Sequence, residues 1–232
     1  MKFNLFTKAA LLISATLTLS SCDIGDDSGN YYLPNPNVAY GYIINASPSS
    51  GSLNFFADEN RINNQGSLNY GNAAGYYNFI TGNRTLTLRN NIGEILASAD
   101  VTLNQGDYFS VFAVNTFNNI ELTVYNDSLP QPGLNTAQIR FINLSPDAGA
   151  ITIEGVSETY AENLDFKDAT GFTSIPNGTY EFTFTDSETG EELLTTTASV
   201  LAGRAYTIFT KGFVSPPEDS NETFTTQEIR HY

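Results

Sequence analysis

The sequence predicts an all-β protein built from two tandem antiparallel β-sandwiches, and three observations carry that expectation. Short runs alternate apolar and polar residues at strand period, as in Arg84-Thr85-Leu86-Thr87-Leu88 and Tyr180-Glu181-Phe182-Thr183-Phe184-Thr185. Turn-forming clusters separate them, among them Asn90-Asn91-Ile92-Gly93, Asn104-Gln105-Gly106, Pro176-Asn177-Gly178 and Ser187-Glu188-Thr189-Gly190. The third observation is internal repetition. Asn45-Ala46-Ser47-Pro48 recurs as Asn143-Leu144-Ser145-Pro146, Gly75-Tyr76 as Gly171-Phe172, and Gly106 ahead of Phe109-Ser110-Val111-Phe112 as Gly203 ahead of Tyr206-Thr207-Ile208-Phe209. These pairs stay 96 to 98 positions apart and in order. Turn-rich sequences that were similar by chance would not hold one register so long, so the chain is a duplication.

The elements follow in order. Residues 1–21 read as a lipoprotein signal peptide: Lys2 and Lys8 are its basic start, Ala9 to Leu19 is uncharged and mostly apolar, and Leu19-Ser20-Ser21 leads to the chain's one cysteine, Cys22. The apolar stretch is shorter than the ~20 residues needed to span a bilayer. An unpaired thiol in an exported chain calls for an explanation, and lipidation of Cys22, with palmitate among its acyl chains, supplies one. Residues 22–36 are an acidic, glycine-containing tether, residues 37–126 the first sandwich, 127–136 a linker holding Pro130, Pro132 and Gly133, and 137–232 the second sandwich. About seven strands fit each copy. One face of each sheet is expected to be dry and the other wet, with the two sandwiches in series as a short rod. The copies end alike if Glu121-Leu122-Thr123-Val124-Tyr125 is matched to Glu228-Ile229-Arg230-His231-Tyr232, now 107 positions apart.

Composition limits function. The chain carries 10 basic against 25 acidic residues, a formal charge of −15 that becomes −17 when Lys2 and Lys8 leave with the signal. Such a field repels phosphate and disfavours nucleic acid. His231 is the one histidine and Cys22 is consumed by the anchor, so neither nucleophilic nor zinc chemistry has its parts; no enzyme, cofactor or metal site is expected. Asp186, Glu188, Glu191 and Glu192 read as a solvated hairpin turn, with weak calcium binding the rival. Asp147 reads as a turn carboxylate accepting backbone N–H groups, with Arg140 paired to it or to a neighbouring acid. Tyrosine and asparagine interleave through the first copy. Tyr76 and Tyr77, adjacent on one strand, must point to opposite faces, so one of them meets solvent or a partner and both are candidate ligand contacts.

The block Ala137-Gln138-Ile139-Arg140-Phe141-Ile142-Asn143-Leu144-Ser145-Pro146-Asp147-Ala148, with Gly203-Arg204-Ala205-Tyr206-Thr207-Ile208-Phe209, resembles the bacterial family called domain of unknown function 4397. The first copy departs from the pattern at Tyr42, Ser49 and Phe109, where the second has Arg140, Asp147 and Tyr206. The resemblance implies immunoglobulin-like or transthyretin-like sandwiches on bacterial lipoproteins, without a defined activity. The acidic residues after Cys22 also partly resemble the export signals of surface lipoproteins. The expected protein is therefore a non-enzymatic structural or adhesive binding module, lipid-anchored in the outer membrane, whose acidic run favours the cell surface over the periplasmic face. Its ligand would be an extracellular protein or a glycan, and the alternative role is a glycan-binding accessory lipoprotein of a polysaccharide-uptake system.

Overall fold

The computed structural model describes residues 37–231. The signal peptide, Cys22 and the tether, with Tyr31 and Tyr32, lie outside the described residues. The first copy contains β1 (Val38–Asn45), β2 (Asn54–Ala57), β3 (Asn60–Arg61), β4 (Ala73–Ile80), β5 (Gly82–Arg89), β6 (Ile95–Leu103), β7 (Tyr108–Val114) and β8 (Glu121–Asn126). The second contains β9 (Thr136–Asn143), β10 (Ile151–Glu154), β11 (Thr159–Leu164), β12 (Thr173–Pro176), β13 (Gly178–Asp186), β14 (Glu192–Val200), β15 (Ala205–Lys211) and β16 (Thr225–Arg230). Each copy forms two four-stranded sheets, in orders β4-β1-β7-β8 and β3-β2-β5-β6, then β12-β9-β15-β16 and β11-β10-β13-β14.

The all-β expectation agrees with this architecture, with two corrections of detail. Each copy has eight strands rather than seven, because the short β3 and the four-residue β12 each complete a sheet edge. Neither sandwich is wholly antiparallel: β1 runs parallel to β7, and β9 parallel to β15. A parallel neighbour requires a long crossover, which strands of the opposite sheet supply in each copy.

Alternation along the strands builds a core between each pair of sheets. Phe55, Leu86, Leu88, Phe79, Phe109 and Val111 fill the first, and Phe141, Ile151, Ile153, Phe182, Phe184 and Ile208 the second. The two solve the same volume differently. In the first, Gly41 lets Phe79 and Phe109 meet edge to face at 4.9 Å, where an added Cβ would lie 2.4 Å from Phe79 and 2.7 Å from Phe109. In the second the equivalent positions hold Ile139, Ile175 and Tyr206.

The recurring Asn-x-Ser-Pro turn is a structural staple. Asn143 donates to the carbonyls of Gly149 and Leu164 and accepts from Thr210, while Ser145 donates to the Gly212 carbonyl at 2.7 Å. In the first copy Asn45 donates to Gly51 and Leu68, and Ser47 to Asn115. Each asparagine thus satisfies buried backbone carbonyls of the crossover that leaves its strand.

A third apolar cluster joins the copies. Ile44, Phe112 and Val114 on the outer face of the first inner sheet pack against Ile142, Leu144, Phe209 and Ile229 of the second, and Phe112 meets Phe209 edge to face at 5.1 Å. The expected wet faces of these sheets are therefore dry, and the sandwiches lie sheet against sheet rather than in series. The reason is visible along β7: Phe109, Val111 and Ala113 enter the sandwich core, while Phe112 and Val114 face the other copy. A strand apolar on both sides must be covered on both sides. Because this contact is continuous, Phe209→Ala should cost about 3–5 kcal/mol, and both copies should unfold in one transition, read by circular dichroism in a denaturant series. Two separated transitions would contradict a shared core.

Candidate functional site at the seam

A buried polar network completes the contact between the copies. Asp127, the first residue of the expected linker, has a wholly buried carboxylate whose Oδ1 accepts a 2.6 Å ion pair from Arg140 Nη2, itself 4% exposed in its side chain. Arg140 also donates to the Asn126 carbonyl through Nη1 and to Thr207 Oγ1 through Nε and Nη2. Its guanidinium lies 4.7 Å from the Phe172 ring centre and 5.9 Å from that of Tyr125. The partner expected for Arg140 is thus settled as Asp127. Asp147 does accept backbone N–H groups as expected, but they come from Val214 and Ser215 in the long loop before β16.

His231 closes the network on the other side of Asp127. Its backbone N–H bonds Ala205 as that of Asp127 bonds Tyr108, so these two residues are equivalent and the copies end 104 positions apart, not 107. The matching letters Glu121 and Glu228 misplace the strand by three residues: Glu121 is half-buried and bonded by Lys167 and Asn115, whereas Glu228 is exposed, so the shared letter marks no shared position. The hydroxyl of Thr207 already accepts from Arg140, so its own proton goes to His231 Nε2, 2.7 Å away. That leaves Nδ1 as the imidazole donor to Tyr76 Oη, whose proton points to Asp127 Oδ2 at 3.4 Å. Ser110 donates to the same Oδ2 at 2.7 Å.

This arrangement holds histidine neutral. Burial lowers its pKa from 6.5 to about 4, against the pull of Asp127 and with a smaller push from Arg140. The His231–Asp127 separation of 3.8 Å is therefore a contact with a neutral ring, since desolvation outweighs the carboxylate. Burial, then the Asp127 charge, also raises the Tyr76 hydroxyl well above its ordinary range. Serine, histidine and aspartate are gathered here, yet Ser110 bonds to the carboxylate rather than to the imidazole, and all three side chains are buried from solvent. The constellation cements the copies; it has neither the nucleophile–base bond nor the access that hydrolysis requires.

The tyrosines expected to contact ligand separate as their alternation demands. Tyr77 packs on the first sandwich core, and Tyr76 faces the second copy, edge to face with Tyr42 at 5.1 Å and with Tyr108 at 5.3 Å. The partner that meets Tyr76 is the other half of the same chain. Sequence reasoning passed over Tyr108, which is 38% exposed and stacks on Tyr40 at 4.9 Å and 23°. It stands at the mouth of a cleft of about 760 Å³ with Asp107, Asn126, Gln131 and Pro132 in its walls. Gly106 ahead of Tyr108, which marked the repeat, also lines it.

The acidic hairpin is a solvated turn: Asp186 accepts the N–H groups of Glu188 and Thr189, which lower its pKa. Asp58 and Glu59 pair with Arg84 and Arg89. Among the described residues no three His, Cys, Asp or Glu side chains converge as metal ligands.

Removing one member of the seam network leaves the others buried and unpaired, so Arg140→Leu and Asp127→Asn should each destabilise the chain by about 3–5 kcal/mol. The histidine adds a pH dependence. Its folded pKa lies below the unfolded value, so its stabilisation is complete above pH 6.5 and is lost as pH falls from there to about 4. Denaturation midpoints across that window should drop for the native chain and drop less for His231→Gln.

Solved structures similar to the chain include a streptococcal virulence factor whose structure describes α-glucan binding, 14% identical over 74% of this chain and 92% of that one, with a TM-score of 0.24. A family 26 carbohydrate-binding module of Eubacterium rectale Amy13K, in complex with maltoheptaose, is 12% identical over 81% and 96%, TM-score 0.27. The fimbrial anchor protein Mfa2 of Porphyromonas gingivalis is 10% identical over 84% and 97%, TM-score 0.22. Scores this low leave the ligands of those proteins their own. Comparison with curated proteins finds no similar sequence. The family model described as Domain of unknown function (DUF4397) matches residues 39–154 and 156–227, nearly all of the described chain, and the protein belongs to that family.

Proposed function

We propose that the protein is a non-enzymatic, lipid-anchored module of the outer membrane, whose two immunoglobulin-like or transthyretin-like sandwiches act as one rigid binding and structural unit. The observation that carries this reading is the buried Arg140–Asp127 pair between the copies, which fixes one sandwich against the other and holds the walls of the cleft beside Tyr108. Rigid walls lower the ordering cost of binding. The one histidine is spent inside the seam, so no imidazole base is available at the surface of the described residues.

Support for the anchor comes from Cys22 behind a short apolar leader, and from the polar run Asp23-Ile24-Gly25-Asp26-Asp27 that follows it. Acyl chains contribute about 0.8 kcal/mol per buried methylene, so two or more hold a protein on a membrane without a spanning helix. Surface display favours extracellular partners, protein or glycan. A glycan-binding accessory role in polysaccharide uptake is the second reading, favoured by the exposed tyrosine and amides of the cleft.

The wild-type chain should fractionate with outer membranes and be shaved from intact cells by added protease, while Cys22→Ala should be released or remain unprocessed. Equal behaviour of both as soluble secreted protein would overturn the anchor.

A further inference from the structure

We infer that the cleft at the end of the seam binds a neutral oligosaccharide, with the ring of Tyr108 as its stacking platform. The inference rests on the reading of the chain as a non-catalytic binding module, and it names that module's site and ligand class.

The argument begins with Tyr108. An exposed aromatic ring is normally free to rotate, but this one is fixed by the stacked ring of Tyr40 at 4.9 Å and by contact with the perpendicular ring of Tyr76 at 5.3 Å. Tyr76 is in turn held by His231, so the platform is braced from the buried network. The side-chain hydroxyl of Tyr108 and the amide of Gln131 have no hydrogen-bond partner among the described residues. The side-chain Oδ1 of Asn126 accepts from the N–H and the hydroxyl of Ser128, which leaves its side-chain NH₂ for other acceptors. A fixed ring flanked by donors and acceptors suits the alternation of C–H faces and hydroxyls on a pyranose.

Size and charge narrow the ligand further. The cleft of about 760 Å³ falls within the ~300–1,000 Å³ of small-molecule sites. A second depression of about 270 Å³ adjoins the first and shares Asp107, Tyr108 and Asn126 with it. Two adjoining depressions that share the Tyr108 ring give room for several linked units rather than one. No cationic side chain lines either depression, and Asp107 contributes a carboxylate, so sulfated or uronic polymers are repelled.

The test is calorimetric titration of the full chain, purified from membranes in detergent, with gluco- and manno-oligosaccharides of α and β linkage and with an oligogalacturonide. Binding of a neutral oligosaccharide but not the uronide is expected. Tyr108→Ala should weaken it about tenfold or more, about 1.4 kcal/mol. Tyr108→Phe should keep it within about threefold, and Gln131→Ala, which alters no internal contact, should weaken it measurably with an unchanged melting curve. If neutral sugars bind but all three variants bind like wild type, the site is overturned. If none binds, or the uronide binds best, the ligand class is overturned. Membrane fractionation of the same preparations reports separately on the anchored module, whichever result is obtained.

Discussion

The ion pair between Arg140 and Asp127 is the constraint on which the arrangement of the chain depends. Both side chains are out of water, and a buried charge is tolerated only where its partner and its remaining hydrogen-bonding sites are supplied. Here Thr207, Ser110, Asn126 and the rings of Phe172 and Tyr125 supply them, and they come from both copies. Apolar contacts such as Phe112 on Phe209 bring the sheets together, but they tolerate sliding. The charged pair does not, so it sets which residues of the two sheets oppose one another.

From that registration the outer features follow. Asp127 is drawn inward to Arg140, and the proline-containing segment beyond it lines the cleft beside Tyr108. The long loop before β16 has a similar effect at the other end: Glu222 reaches the turn of the first copy and accepts the N–H of Ser49, where the second copy uses its own Asp147 for its own loop. An insertion in one copy has become a clasp on the other.

Much of this was legible in the sequence. Strand alternation, turn residues and the repeated Asn-x-Ser-Pro motif gave the sandwiches and the duplication, because each has a local physical cause. The docking of the copies was not inferred, although β7 and β15 carried its signal as apolar residues on both faces, Phe109 with Phe112 and Ile208 with Phe209. Reading only one face of each strand as buried hid it. The equivalence of Asp127 and His231 was hidden for a different reason: the residues differ chemically, and only strand pairing reveals that they occupy one position. Tyr108 escaped notice because adjacent tyrosines drew attention to Tyr76, whose hydroxyl is engaged inside.

That equivalence also governs what the halves can pair with. At matching positions the first copy offers Tyr42 and Asp127, the second Arg140 and His231. Two second halves brought together would set a guanidinium against an imidazole with no carboxylate between them, and two first halves would bury an aspartate without a cation. Like-with-like association is therefore penalised on either side, and only unlike halves satisfy the seam. Divergence between the repeats has turned a face that could serve symmetric pairing into a lock that accepts its complement.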